Sequence, residues 1–430
     1  MSKNLGIIGI WWGDEGKGNI YSRLLEDAAE RCPEPVDGRK PVLAYRWPGG
    51  PNAANSLDIL GKKTIARQLS GGVLIPQKGF SQLGAQMYIN PGMLTEEVQA
   101  LQARFFEVSP ANLGIAPNTH VILPYHIDAD RKDFHTPGEH ASTGRGIRPV
   151  SADKYGRVGI RFIEFLDSDL MAEILKEKRF PGYGDYTAFS EQFNPEREFL
   201  ALFVKQDHVA VRDQGTHYKF AMGAHGAMLD INMGMYPGIT SSHPADVPRW
   251  ADTVMGVTKL YISSVGARDR HFPSRMEPEL EYAVRKEWNE FGTGTGKPRQ
   301  LGWVDLVMGR YVMESCGVDM LAGTMGDRLS VFSELGVKPQ VVVGYEIDGQ
   351  RYEEWQPSFH RRDTLDRVTP IVEEFEPWDY FLEADGMTMH PNAKRYVDFI
   401  EDGLGKPFVM QGNGPNGKTD IAVYKDPLDL

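Results

Sequence analysis

Gly6-Ile7-Ile8-Gly9-Ile10-Trp11-Trp12-Gly13-Asp14-Glu15-Gly16-Lys17-Gly18-Asn19 decides the fold, because an apolar β-branched run turns through glycines into the helical sequence of residues 20–25. A strand, a glycine-rich turn and a helix N-terminus together aim backbone N–H groups and a lysine at one point, which makes an anion cradle. The pattern is not the common G-x-x-x-x-G-K-[ST] loop, since residue 11 is Trp and Gly18 follows Lys17. A tight turn carrying surface charges is the plainer reading, and the strand–loop–helix context favours phosphate. Asp14 strengthens that choice: a carboxylate beside phosphates is repulsive unless it binds Mg²⁺ or takes up a proton. Trp11 and Trp12 are expected to pack beneath the loop.

Outward from this loop, short β-branched runs at residues 5–10, 42–45, 121–123, 219–222 and 341–347 alternate with helical stretches. The helices are expected after Gly18, over residues 95–108, near 169–178 and over 392–402. That alternation predicts an α/β fold with a mainly parallel central sheet flanked by helices. Asp348-Gly349, between residues 341–347 and 350–355, marks a hairpin and hence a small antiparallel appendage. With no repeat and no Pro/Ser-rich linker, residues 1–430 read as a single domain with insertions.

Composition narrows the class of function. The 430 residues are 41% hydrophobic and carry a formal net charge of −12, which disfavours a nucleic-acid polymer and favours small charged substrates. Cys32 and Cys316 are the only cysteines, too few for a disulfide framework or a thiolate metal site. No apolar run is long enough to cross a membrane, and the start lacks a secretory signal, so a cytoplasmic protein is expected.

Further blocks recur along the chain. They are Tyr45-Arg46-Trp47-Pro48-Gly49-Gly50-Pro51-Asn52-Ala53-Ala54-Asn55-Ser56; Ser142-Thr143-Gly144-Arg145-Gly146-Ile147 with residues 153–161; and residues 223–230 with Tyr236-Pro237-Gly238-Ile239-Thr240-Ser241-Ser242. Asn289-Glu290-Phe291-Gly292-Thr293-Gly294-Thr295-Gly296-Lys297-Pro298-Arg299 and Gly414-Pro415 follow. In this order, and with Trp12-Gly13-Asp14-Glu15-Gly16-Lys17-Gly18 at the head, the chain resembles the adenylosuccinate synthetase family.

The resemblance implies a P-loop-NTPase-like fold and a ligase that works in two steps. Asp14 would remove N1–H of a 6-oxopurine nucleotide such as IMP while the γ-phosphoryl of a nucleoside triphosphate moves to O6, Lys17 supplying positive charge; the amino group of L-aspartate then displaces phosphate from C6. It also implies a purine monophosphate held by Asn52, Thr143, Arg157, His225 and Thr240, with Arg157 reaching in from the other subunit of a homodimer. The triphosphate would lie on Gly13, Glu15, Gly16, Lys17, Gly18, Asp327, Gly412 and Gly414. Aspartate would meet Thr295, Lys297 and Arg299, and Mg²⁺ would meet Asp14 and Ala54. Taken singly, the polar residues have plain structural readings: Asn52 as a turn residue, Thr143 and Thr240 as helix caps, Arg157 as a solvated charge.

The chain departs from the family at three places. The family's acidic histidine falls on Asn55 and the glycine before it on Ala54; an amide donates a weaker hydrogen bond and cannot give up a proton. The glutamine set against the purine 6-position falls on His225, which suggests that the cationic donor has moved there. Lys297 replaces an arginine, giving a point charge for a planar fork. The segment that reads the triphosphate base is Thr324-Met325-Gly326-Asp327, without the family's lysine, so GTP is expected and ATP is the alternative. These changes leave two rivals to the IMP reading: a dGMP-using synthetase of the 2-amino analogue, and a catalytically silent nucleotide-binding relative. Relocation of the donor predicts that His225→Gln lowers steady-state turnover by about a hundredfold or more; near-normal turnover would remove His225 from the mechanism.

Overall fold

A computed structural model of the chain describes residues 3–32, 34–35, 39–75, 77–104, 106–134, 143–178, 184–213, 217–265, 272–292, 296–361, 363–414 and 417–430. The fold is α/β, with nine mainly parallel strands flanked by helices. By internal contacts the described residues divide into two compact units: one holds residues 3–4, 25–134 and 143–224, the other 5–24 and 225–430. Neither is a continuous stretch of chain, so no single linker marks a boundary between them.

In the unit of residues 5–24 and 225–430, strands Lys3–Gly9, Thr253–Lys259, Met320–Thr324 and Phe408–Gly412 pair in parallel as successive neighbours, and Ile421–Val423 pairs antiparallel on the last. Met320–Thr324 and Phe408–Gly412 are buried along their whole length, as strands covered on both faces must be. Because these four strands are parallel neighbours, their C-terminal ends share one edge, and the segments after Gly9, Lys259, Thr324 and Gly412 leave from it. Open α/β sheets bind their ligands at that edge.

In the other unit, Val42–Arg46 lies between Tyr218–Gly226 and Gly79–Leu83, all parallel, and Leu113–Ile115 continues parallel beyond Gly79–Leu83. The run at 121–123 does not join them. It gives only the two-residue strand His120–Val121, paired with Tyr88–Ile89, because Pro124 begins the helix Pro124–Phe134 at once.

Expected helices are found at Lys17–Arg31, Ser168–Glu177 and Pro391–Leu404. The one placed at 95–108 is instead Pro91–Ala103, since the Asn90 side chain accepts the Met93 N–H at 3.0 Å and Pro91 takes the first helical position. The hairpin is present, within a four-stranded sheet of its own: Gln340–Ile347 pairs antiparallel with Gln350–Tyr352 and Thr369–Glu374 and parallel with Val304–Asp305. Its return strand stops at Tyr352, shorter than the expected 350–355.

At the hairpin tip Asp348 and Gly349 have φ of 53° and 80°, the left-handed pair a tight two-residue turn requires. Nothing lies within 4 Å of a Cβ added at Gly349, so the cost of one is purely conformational. Gly349→Ala is therefore expected to lower stability by about 1–2 kcal/mol, read as a lower urea midpoint with turnover unchanged.

Candidate active site

The loop after strand Lys3–Gly9 is shaped by its own side chains. Glu15 is 1% exposed, and its Oε1 accepts the Gly13 N–H at 2.7 Å and the Trp11 N–H at 3.2 Å, while Oε2 meets Lys17 Nζ at 2.7 Å. These contacts fold the backbone back on itself through left-handed residues: φ is 94° at Gly13, 60° at Asp14 and 80° at Gly16. Asp14 accepts a conformation that glycine adopts more readily, and its side chain is left 37% exposed. Lys17 opens the 15-residue helix Lys17–Arg31, so the buried ammonium sits at a helix N-terminus where anions are favoured. Trp11 and Trp12 are buried, Trp11 Nε1 donating to Thr258 Oγ1 at 2.8 Å. Thr324 Oγ1 donates to the Glu15 carbonyl at 2.7 Å and ties the loop to the end of strand Met320–Thr324, two strands away in the sheet.

His225, next to last in the strand Tyr218–Gly226, lies in the left-handed region at φ 62° and is half-buried. Its backbone abuts the loop: a Cβ on Gly13 would lie 3.6 Å from His225 Cα, and one on Gly226 would lie 2.2 Å from the Trp11 carbonyl oxygen. Gly226 is therefore obligatory for this approach.

Across from the loop, Arg299 Nη2 meets Asp14 Oδ2 at 2.5 Å and Arg299 Nη1 meets Glu290 Oε2 at 2.6 Å. Arg299 opens the strand Arg299–Gly302, which pairs antiparallel with Ile262–Val265. The other Glu290 oxygen, Oε1, accepts from Lys259 Nζ at 2.7 Å, from Arg328 Nη1 at 2.8 Å and from the Tyr261 hydroxyl. Burial alone would raise the Glu290 pKa, but the charges of Lys259 and Arg299 outweigh it and hold the carboxyl at about 2. Burial lowers the pKa of Lys259, with Glu290 opposing. Nearby, burial lifts the Asp327 carboxyl above its usual range; Arg328 opposes that and Asp420 adds to it.

The structure thus assembles Gly13, Asp14, Glu15, Gly16, Lys17, Gly18, His225 and Arg299 around one loop. Asp327 follows strand Met320–Thr324, and Gly412 and Gly414 lie at and after the end of Phe408–Gly412, on the same strand-end edge. Lys297 is half-buried and its carbonyl accepts the Gly292 N–H at 2.8 Å, while Thr295 lies outside the described residues. Thr240 caps no helix; its N–H donates to the Leu229 carbonyl at 2.7 Å.

Asn52, Ala54, Asn55, Thr143 and Arg157 belong to the other compact unit. There Asn52 Oδ1 accepts the Gly50 N–H at 3.2 Å, and Ala54 and Asn55 lead into the hairpin of Asn55–Ile59 and Lys62–Ala66. Thr143 is exposed just before helix Ile147–Tyr155, whose N-cap is Gly146, and Arg157 is exposed just beyond its other end at φ 60°. Sequence reasoning missed Lys259, Tyr261, Glu290 and Arg328. The one signal was a lysine closing an otherwise apolar strand, Val254-Met255-Gly256-Val257-Thr258-Lys259.

Comparison with known proteins bears on the family and the fold. Residues 6–421 match the adenylosuccinate synthetase family. The adenylosuccinate synthetase of Caldanaerobacter subterraneus is 30% identical over 443 residues, covering 97% of this chain and 98% of that one; that of Streptococcus sanguinis is 34% identical over 436 residues, covering 95% of each. The fully ligated adenylosuccinate synthetase of Plasmodium falciparum superposes with a TM-score of 0.81 at 25% identity, covering 98% of this chain and 100% of that one. The cyanophage S-2L succinoaminodeoxyadenylate synthetase, bound to dGMP and dATP, shares the fold with a TM-score of 0.58 at 19% identity, covering 99% of this chain and 97% of that one. Matched from its first strand almost to its last, this chain belongs to the adenylosuccinate synthetase family of ligases.

Proposed function

We propose that this chain transfers the γ-phosphoryl group of GTP to O6 of IMP and then joins L-aspartate at C6, releasing phosphate. The observation that carries the reading is the contact of Arg299 with Asp14 at 2.5 Å, beside the buried Lys17 at a helix N-terminus. A proton acceptor, a phosphate-binding cation and a carboxylate-binding guanidinium then stand within one constellation of one compact unit.

Each group has a defined task. The Asp14 carboxylate accepts the N1 proton, which moves electron density onto O6 and makes it the nucleophile toward the γ-phosphorus; the bond to the β–γ bridging oxygen breaks and GDP leaves. Lys17 and the loop N–H groups stabilise the charge on the transferring group. Arg299 holds an aspartate carboxylate, and the aspartate amino group attacks C6 as the phosphate departs with the C6–O6 bonding pair. The incoming carboxylate competes with Asp14 for the guanidinium, so amino-acid binding and release of the proton acceptor are coupled.

Mg²⁺ fits the residues present, because the ion takes one or two carboxylates together with triphosphate oxygens and Asp14 is an exposed oxygen donor at the loop. When bound there it would screen the negative charge of the phosphates. Exposure of Arg157 past its helix is compatible with a homodimer in which it serves the opposite subunit. A second reading, dGMP in place of IMP, is favoured by a histidine at residue 225, against the loop, where the family sets glutamine.

Phosphate release and purine absorbance, measured over a grid of GTP or ATP, IMP or dGMP, and aspartate, are expected to show turnover only with all three substrates. Asp14→Asn is expected to lower that turnover by at least about a hundredfold while the protein remains folded. Full activity in this variant, or silence of the wild type across the grid, would defeat the reading.

A further inference from the structure

Glu290 is completely buried, and its two oxygens face three cations and a phenol. A carboxylate used only to neutralise one buried charge has no need of so many donors. What distinguishes this one is where the donors come from. Arg299 belongs to the amino-acid segment, Arg328 follows Asp327 in the segment assigned to the triphosphate base, and Lys259 and Tyr261 lie at and just past the end of the strand Thr253–Lys259.

The details of Arg299 show what the contact accomplishes. Glu290 takes Nη1 at 2.6 Å, and the Arg299 N–H donates to the Glu290 carbonyl at 3.0 Å, so backbone and side chain are both held by one residue. Arg299 is 7% exposed; its Nη2 rests on Asp14, and its Nε is buried with no partner among the described residues. A planar guanidinium binds a carboxylate best through two parallel N–H groups, and only when its plane is fixed. Glu290 fixes that plane from one side and leaves nitrogen positions for a ligand. On its other oxygen it holds Arg328, which keeps 27% of its side-chain surface exposed, and Arg328 also donates to the Tyr261 hydroxyl at 2.8 Å.

We propose that Glu290 is a positioning residue that orients Arg299 for the amino-acid carboxylate and links that subsite, through Arg328, to the triphosphate-base subsite. The inference rests on the reaction proposed above and adds a residue and a coupling to it. Because Glu290 touches no substrate, its loss acts on KM for aspartate more than on the chemical step. Because Arg328 shares the same oxygen with Lys259 and Tyr261, disturbing it reaches both subsites.

Initial rates of wild type, Glu290→Gln and Arg328→Gln, each varied in one substrate with the others saturating, test this. Thermal unfolding of each protein reports whether it is folded. Glu290→Gln is expected to raise KM for aspartate about tenfold or more, the loss of one charge-assisted hydrogen bond, with KM for the monophosphate unchanged. Arg328→Gln is expected to raise KM for both the triphosphate and aspartate. An aspartate KM within about twofold of wild type in folded Glu290→Gln would overturn the proposal. If that variant does not fold, Arg328→Gln decides: a change confined to the triphosphate overturns it, and a joint change supports it. A wild type inactive with all three substrates would instead overturn the reaction itself, and the positioning role with it.

Discussion

A single guanidinium lying between two carboxylates of different exposure organises the compact unit of residues 5–24 and 225–430. Arg299 carries Glu290, fully buried, on one nitrogen and Asp14, 37% exposed, on another. Removing a carboxylate from water costs several kcal/mol unless charge and hydrogen bonds replace the solvent, and the donors around Glu290 do so well enough to hold it at about pKa 2. The sign follows: a depressed carboxylate contributes stability that is complete above its unfolded value near 4.5 and is lost as pH falls toward 2. Across the working range this cluster is therefore a fixed wall, and Asp14 is the more exposed end of the chain of charges that begins there.

The loop that presents Asp14 has an equally local cause. Three left-handed residues within four positions are costly for an ordinary sequence. Two are glycines, and the third is held because Glu15, next in sequence, turns its carboxylate inward to collect the N–H groups of Trp11 and Gly13. The same carboxylate holds Lys17, so loop shape and cation position depend on one side chain.

Much of this was legible in the sequence, and the exceptions have physical reasons. Strand Lys3–Gly9 and its loop declare themselves because β-branched residues meet a run of glycines and charges. Met320–Thr324 and Phe408–Gly412 went unread because they are short, contain glycine and look like helix fragments by composition. Gly323 is there for room: a Cβ would stand 2.0 Å from Gln411 Oε1 on the adjacent strand. The candidate site residues came from motif order, which names positions and not contacts. Nothing in Asn289-Glu290-Phe291 distinguishes a surface acid from the centre of a buried network, since that depends on three segments folded from elsewhere.

Asn55 takes the position at which the resemblance sets a histidine. It stands in the first position of the Asn55–Ile59 hairpin strand, and its Nδ2 is buried with no partner among the described residues. A buried donor left unmade costs about 1–3 kcal/mol, so an asparagine serving packing alone would be poorly chosen there. An amide nitrogen can satisfy an anionic oxygen but has no proton to transfer. The residue thus retains the hydrogen-bond donation of an imidazolium and gives up its acidity, a difference of chemistry that holds whichever acceptor it meets.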